Sequence, residues 1–374
     1  MSDKFDFIRE ALQGFGLNPE TMVVRRELPD NWHGDLHYKI AAEGRAYGIR
    51  FMAEVRSQED GSPFANLADD VLHEQMRYVD HLTAQGIPFM RRVRPVNGDA
   101  FVTVKDDNGV VRRCVLFEWL DGIHITAHTM ETAFRMGELA RRYHDASHGF
   151  QSDFLPRKIH TDSYREMLNS LRAERAKLTQ PEERGALLDT YMLSNMREEQ
   201  AGQPLAPEDA ALLDAYLDTA ERMIDEAHRD PSERDHVIVT SDINSINILW
   251  DERTQLITGI IDFEHISYSD RVQDLAWLMK WYSRTEGIQS HEVSGDLAQA
   301  LMYGYRAHEL LQSDDYTRFP ALLWLSGCLN WNFVQKTAEI LRNDHAQLRD
   351  HLATYEARGK KLTGLADGLQ FMQS

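Results

Sequence analysis

Cysteine is scarce in this chain of 374 residues: there are two, Cys114 and Cys328. They stand far apart in apolar surroundings, which excludes a disulfide framework and leaves no zinc-ligand spacing. A reducing compartment fits that usage. Apolar runs are short, and none approaches the roughly 20 residues that a membrane-spanning helix needs. The opening residues, Met1-Ser2-Asp3-Lys4-Phe5-Asp6, show no basic segment followed by an apolar one, so no secretory signal is expected. Basic charge is also in short supply. Lys and Arg number 41 against 60 Asp and Glu, a formal net charge of -19. That balance works against nucleic acid phosphates and anionic membranes. It suits either a cationic small molecule or plain solubility. Internal repeats and long low-complexity segments are missing too. A cytoplasmic globular protein of two or three lobes is expected, as a monomer or homodimer.

What is present divides into a β-rich part and a helical part. Residues 38–42 and 46–55 read as strands around Glu43-Gly44-Arg45, a hairpin turn. Residues 57–63 are a polar loop, broken by Asp60-Gly61 and Ser62-Pro63. Leu67, Val71, Gln75, Tyr78 and Leu82 then recur at helical spacing, with Gly86 as the stop and Pro88 beyond it. Residues 101–104 and 110–117 form a second hairpin across the turn at 106–109. From about 125 the spacing is helical, with one buried helix ending near His144. Residues 160–232 read as a charged helical insertion, and helices resume at Val272. The expected division is a nucleotide-binding N-terminal lobe at 1–118 and a helical C-terminal lobe at 119–374. A small β island, 237–264, is assigned to the second.

That island holds the informative residues. Asp242 and Asn247 flank a short polar loop between two apolar runs, five positions apart. A turn at 252–255 folds the chain back, so that Asn247 and Asp262 meet at the open end of one hairpin. Phosphoryl transfer needs such a set: one carboxylate at the attacking hydroxyl, and an amide and a second carboxylate to hold a divalent ion against polyphosphate. Asn and Asp supply the hard oxygen ligands that Mg2+ prefers. The spacing is that of the kinase signature, Asp then Asn five residues on, then a second Asp after a hairpin.

With Thr240-Ser241-Asp242, Asn247, Ile261-Asp262-Phe263-Glu264 and Asp270-x3-Asp274-Leu275-Ala276, the chain resembles the aminoglycoside phosphotransferase-like family of small-molecule kinases. Thr240-Ser241 departs from the family's usual His-Gly, whose His braces the loop. The resemblance implies an α+β, two-lobed protein-kinase-like fold, with a small β-rich N-lobe and a large mainly helical C-lobe. It implies ATP as donor, with GTP left open, and Mg2+ as cofactor. Asp242 would be the catalytic base, and Asn247 and Asp262 the metal ligands. Arg50 would face the nucleotide phosphates and pair with Glu74, and Gly34 would lie in the phosphate-covering loop. Phe117 and the backbone of Glu118 and Leu120 would meet the adenine. Glu264, Tyr268, Asp270 and Trp277 would line the acceptor site. His144, in a family helix motif, is expected to be structural.

The acceptor stays open: an amine-bearing antibiotic, with a resistance role, or a metabolic amino alcohol, homoserine or sugar. A reading from another class is a non-catalytic nucleotide-binding pseudokinase, which the Thr240-Ser241 departure favours.

Overall fold

Strand pairing begins at the Glu43-Gly44 turn, where both central residues have positive φ, 50° and 75°. Such a turn matches the twist of the strands it joins. The computed structural model describes residues 5–28, 35–53, 68–157, 160–178, 205–229 and 236–373. Gly34, the 57–63 loop and much of the 160–232 segment lie outside the described residues. The chain divides into two compact units. The first comprises residues 1–124, 146–156 and 247–266, and the second 125–145, 157–246 and 267–374.

The first unit opens with α1 (Asp6–Gly14), β1 (Val23–Leu28), β2 (Leu36–Ala42) and β3 (Arg45–Ala53). Then come α2 (Asp69–Ala84), β4 (Arg92–Val93), β5 (Val102–Lys105) and β6 (Val111–Glu118). The strands form one antiparallel sheet in the order β1-β2-β3-β6-β4, with β5 also on β6. The apolar stripe of α1, Phe7, Ile8, Ala11 and Leu12, packs with Tyr38, Ile40, Ile49, Phe51 and Leu116 of the sheet. Phe7 meets Phe51 edge-on at 4.8 Å between ring centroids, the geometry that aromatic quadrupoles prefer. In α2 the buried face is Val71, Leu72, Gln75, Met76, Tyr78, Val79 and Leu82. Gly86 ends it with φ 74°, a conformation glycine adopts without a Cβ penalty.

The chain continues through α3 (Met130–Ser147), α4 (His160–Lys177), α5 (Pro207–Ala227) and β7 (His236–Thr240). It then makes the hairpin β8 (Ile248–Trp250) and β9 (Ile257–Ile260), and goes on through β10 (Ile266–Asp270) to α6 (Arg271–Tyr282). Helices α7 (Gly295–Tyr305), α8 (Ala307–Leu310), α9 (Ser313–Cys328), α10 (Trp331–Asn343) and α11 (Leu348–Thr363) complete the fold.

The β8–β9 hairpin packs within the first unit, although the sequence places it among helices. Backbone bonds explain this. Ile260 N–H donates to the Pro88 carbonyl at 2.6 Å, just past the end of α2, and Trp250 and Ile123 exchange both backbone bonds at 2.9 Å. β7 pairs with β10 rather than with the hairpin.

In the second unit, α3 and α7 cross where each carries a glycine. A Cβ on Gly137 would collide with the Leu301 carbonyl, and one on Gly304 with that of Phe134. His144 is buried, with Nδ1 2.9 Å from the Tyr305 hydroxyl and Nε2 3.0 Å from Asp274. Arg271 donates to the Tyr305 oxygen at 2.8 Å. The hydroxyl proton therefore goes to Nδ1, and Nε2–H donates to Asp274. Burial lowers the His144 pKa, so this neutral tautomer locks three helices together.

Candidate active site

The first unit contains a cavity of about 660 Å³, within the usual range for a small-molecule site. Its lining brings together Gly48–Arg50 of β3, the segment from Phe117 to Gly122, and Asn247, Asp262 and Glu264. One wall is aromatic: the Phe117 and Phe263 rings lie 5.5 Å apart. Lys39 Nζ sits 4.0 Å over the Trp119 ring, and Trp119 Nε1 donates to Asp121 at 3.0 Å. The backbone of this wall is pinned, because Glu118 N–H donates to the Arg91 carbonyl and Trp119 N–H to that of Ala46. The Leu120 amide has no protein partner among the described residues.

Register sets the polar end. Ile248 pairs with Ile260, and Ile261 N–H donates to the Asn247 carbonyl at 2.9 Å. Asn247 and Asp262 are thus neighbours at the open end of the hairpin, where both line the cavity. Asp262 has φ 79°. A non-glycine residue held there costs about 1–3 kcal/mol, offset in part by its Oδ1 accepting from Glu264 N–H at 3.2 Å.

Arg50 lies between carboxylates. Its Nε and one terminal nitrogen reach Asp35 Oδ2 at 2.9 and 2.8 Å, and the same nitrogen pairs with the Glu264 carboxylate. Asp35 is fully buried and Glu264 is 5 % exposed. Burial brings the Arg50 pKa down to about 10, against the opposing field of Asp262. His37, which faces Arg50 across β2 and β3, is held neutral: burial and then Arg50 push it down to about 3. Its buried Nε2 has no partner among the described residues.

The expected Arg50–Glu74 pair does not form. Glu74 is bound to Arg77 on its own helix, with Arg77 Nε 2.9 Å from Oε1. The residue that α2 turns inward is the next one, Gln75, whose amide donates to the Glu264 carbonyl at 2.9 Å. Gln75 already lies on the apolar stripe visible in the sequence, and that stripe was the signal against Glu74. Asp35, the other partner of Arg50, carries no comparable signal.

The donor set fits a hard divalent cation. The side chains of Asn247 and Asp262 offer an amide and a carboxylate oxygen. Nearby, one guanidinium stands against Asp35, Glu264 and the field of Asp262, an excess of negative charge that a divalent ion would balance.

In the second unit, the loop after β7 carries Asp242. It is braced without the usual His-Gly. Asn244 Nδ2 donates to Asp242 Oδ1 at 2.9 Å, and Asn244 Oδ1 accepts from Ile246 N–H at 2.9 Å. Ser245 Oγ lies 3.0 Å from Nε2 of the buried His128, and Thr240 N–H donates to the Tyr143 hydroxyl at 3.1 Å. The brace thus comes from a histidine far upstream, which no local motif marks.

The acceptor-side expectations need two corrections. Asp270 is structural: it caps α6 by accepting from Val272 N–H at 2.8 Å and pairs with the buried Arg318. Glu264 is taken up by Arg50. Tyr268 is half-buried, with the Arg157 guanidinium 5.4 Å from its ring. Trp277 is half-buried beneath Lys280, whose Nζ lies 4.3 Å from the ring.

The fold and these residues define a phosphotransferase of protein-kinase-like architecture. The phosphotransferase enzyme family matches residues 21–311, and the chain belongs to that family. No curated protein matches it. Among solved structures it is similar to the amicoumacin kinase hAmiN in complex with AMP-PNP, Ca2+ and Ami, at 16% identity and TM-score 0.61, over 97% of this chain and 93% of that one. It is similar to a microcompartment-associated aminopropanol kinase, at 16% and 0.58, over 98% of each chain. It also resembles the spectinomycin phosphotransferase APH(9)-Ia in complex with ADP and its antibiotic, at 12% and 0.55, over 98% of each chain. At such identities the likeness establishes the fold. Among the described residues, no helix is long and apolar enough to cross a membrane.

Proposed function

We propose that this phosphotransferase moves the γ-phosphoryl of Mg·ATP to a hydroxyl of a small molecule. The observation that carries the reading is the hairpin register. It sets Asn247 and Asp262 beside each other in a cavity that also holds Arg50 and the pinned 117–122 edge. Asn247 and Asp262 would hold Mg2+, which when bound supplies neutralising charge at the phosphate oxygens. Arg50 faces the phosphates, held in place by Asp35 and Glu264. The Phe117 and Phe263 rings offer the base an apolar face, and the Leu120 amide offers its edge a donor. A guanine base would meet the same groups, so GTP is a second donor to assay.

Asp242 acts on the acceptor. Asn244 engages one carboxylate oxygen, which restrains the group's rotation. Asp242 orients the hydroxyl and takes its proton as the oxygen–phosphorus bond forms and ADP departs. Rate enhancement comes from positioning and electrostatics, which accounts for the number of contacts spent on the loop.

Structures of similar fold bear the names of amicoumacin, spectinomycin and aminopropanol, and an amine-bearing antibiotic or amino alcohol is one acceptor reading. The carboxylates that favoured it, Glu264 and Asp270, are committed to Arg50 and Arg318. That loss opens the acceptor question to other chemistry.

The test is ATP consumption against hydroxylated antibiotics, amino alcohols, sugars and hydroxy acids. Turnover with one class that disappears in Asp262→Ala supports the assignment. Turnover that survives Asp262→Ala refutes the metal role. Nucleotide binding with no turnover on any acceptor would instead mark a pseudokinase.

A further inference from the structure

The second unit buries cations without carboxylate partners. Lys280 is 3 % exposed and Arg284 is 4 % exposed. Neither they nor the half-buried Arg358 of α11 form an ion pair among the described residues. Lys280 Nζ donates to the Ser326 carbonyl at 2.6 Å and lies 4.3 and 5.3 Å over the rings of Trp277 and Trp281. The Arg284 guanidinium lies 4.2 Å over the other tryptophan of the pair, Trp281. The indole N–H groups of both tryptophans and the Tyr282 hydroxyl are buried with no hydrogen-bond partner among the described residues.

Each cation reaches one backbone carbonyl, Lys280 that of Ser326 and Arg284 that of Ile288, but neither has a carboxylate, and the two indole N–H groups and the Tyr282 hydroxyl have no acceptor among the described residues. Unpaired buried cations and unmet N–H groups are costly. The cations act on one another: burial, then Arg358 and Arg284, hold the Lys280 pKa well below the ordinary amine range. An anion is the ligand charge that such uncompensated cations and unmet N–H groups favour. An ammonium group would meet repulsion, and the aromatic faces that could attract it already carry Lys280 and Arg284.

The cluster is wired to the catalytic loop. His128 holds Ser245 at 3.0 Å, sets its ring 4.8 Å from that of Tyr282 at a tilt of 51°, and donates its backbone N–H to the Arg284 carbonyl at 2.8 Å. The field of Asp242 is felt at both Lys280 and Tyr282.

We propose that the acceptor carries an anionic group, a carboxylate or a phosphate, bound by Lys280, Arg284 and the indole N–H groups of Trp277 and Trp281, while its hydroxyl lies at Asp242. The substrate class is then a hydroxy acid or a hydroxylated phosphate ester in place of an amine. This rests on the kinase reading for its hydroxyl, and on the cation cluster alone for its charge.

Tryptophan fluorescence of the full chain tests the charge directly. Titrations would use D-glycerate, glycerol 3-phosphate, glycerol and ethanolamine. A saturable change is expected with at least one of the two anions, and which one responds separates carboxylate from phosphate. Arg284→Gln should weaken it at least tenfold. Trp281→Phe, which keeps a ring and removes the N–H, should weaken it several-fold. Circular dichroism identifies any variant that fails to fold, and Lys280→Arg then serves in its place, with partial retention expected.

Saturable binding of ethanolamine but of neither anion would overturn the proposal. So would silence from both anions, or unchanged anion binding in Arg284→Gln and Trp281→Phe. In ATP-consumption assays with the responding anion, Arg284→Gln should raise KM at least tenfold with a smaller change in kcat. Anion binding without phosphoryl transfer would refute the kinase reading and leave the anion site standing.

Discussion

Replacing Arg50 by Met should destabilise the first unit, apart from any effect on nucleotide binding. The guanidinium is the ion-pair partner of Asp35, which is fully buried, and of Glu264, which is 5 % exposed. Removing one member of a buried ion pair costs about 3–5 kcal/mol, because the other is left charged without a partner. For a unit of this size each kcal/mol shifts Tm by roughly 2–4 °C. The expected fall is therefore roughly 6–20 °C by differential scanning calorimetry. Arg50→Lys keeps the charge but loses the two-nitrogen grip on Asp35, and should fall between wild type and Arg50→Met. Adding Glu264→Gln to Arg50→Met should restore part of the loss, since one stranded charge is removed. A Tm for Arg50→Met within about 2 °C of wild type would refute the buried-cluster account, since that is less than 1 kcal/mol on the scale used.

Other outcomes follow from the same geometry. His37 and His128 have folded pKa values of about 3 and about 4, lowered first by burial, against an ordinary 6.5. Below pH 6.5 the unfolded chain binds protons that the folded one does not, so stability falls on acidification. Between pH 7 and pH 5 each histidine should remove roughly 2 kcal/mol, measured by urea unfolding at the two pH values. A flat profile there would contradict their burial. Ser245→Ala removes the loop's link to His128 and should lower kcat at least tenfold while leaving the KM for ATP within a factor of two or three. Gly304→Ala drives a methyl into the Phe134 carbonyl and should destabilise the second unit by about 1–3 kcal/mol or more. An unchanged Tm would mean that α3 and α7 do not cross so closely.

Local patterns made much of the molecule legible. Two short strand-like runs around Glu43-Gly44-Arg45 marked β2 and β3, and helical spacing marked α2. The hairpin that joins Asn247 to Asp262 could be read because its turn and both strands lie within sixteen residues. Tertiary pairings could not be read that way. β7 takes β10 as its partner, and β8–β9 is stitched to Pro88 and Ile123, through backbone bonds that any sequence can make. Side-chain partners were harder still. A helix Glu beside an apolar stripe looks like a partner for Arg50 until the helix rotation is known, and one position of rotation turned Gln75 inward and Glu74 toward Arg77. His128 braces Ser245 across more than a hundred residues. The buried cations Lys280, in α6, and Arg284, just past its end, look in sequence like the polar face of an ordinary helix.

In the proposed chemistry, Asp242 takes the proton from an acceptor hydroxyl while other residues bind the nucleotide. Turnover and Mg·ATP affinity, measured side by side for wild type and Asp242→Asn, test it most directly. In Asp242→Asn, kcat is expected to fall at least a thousandfold with the best acceptor, while the Kd for Mg·ATP changes less than threefold. Turnover within tenfold of wild type in Asp242→Asn would contradict it.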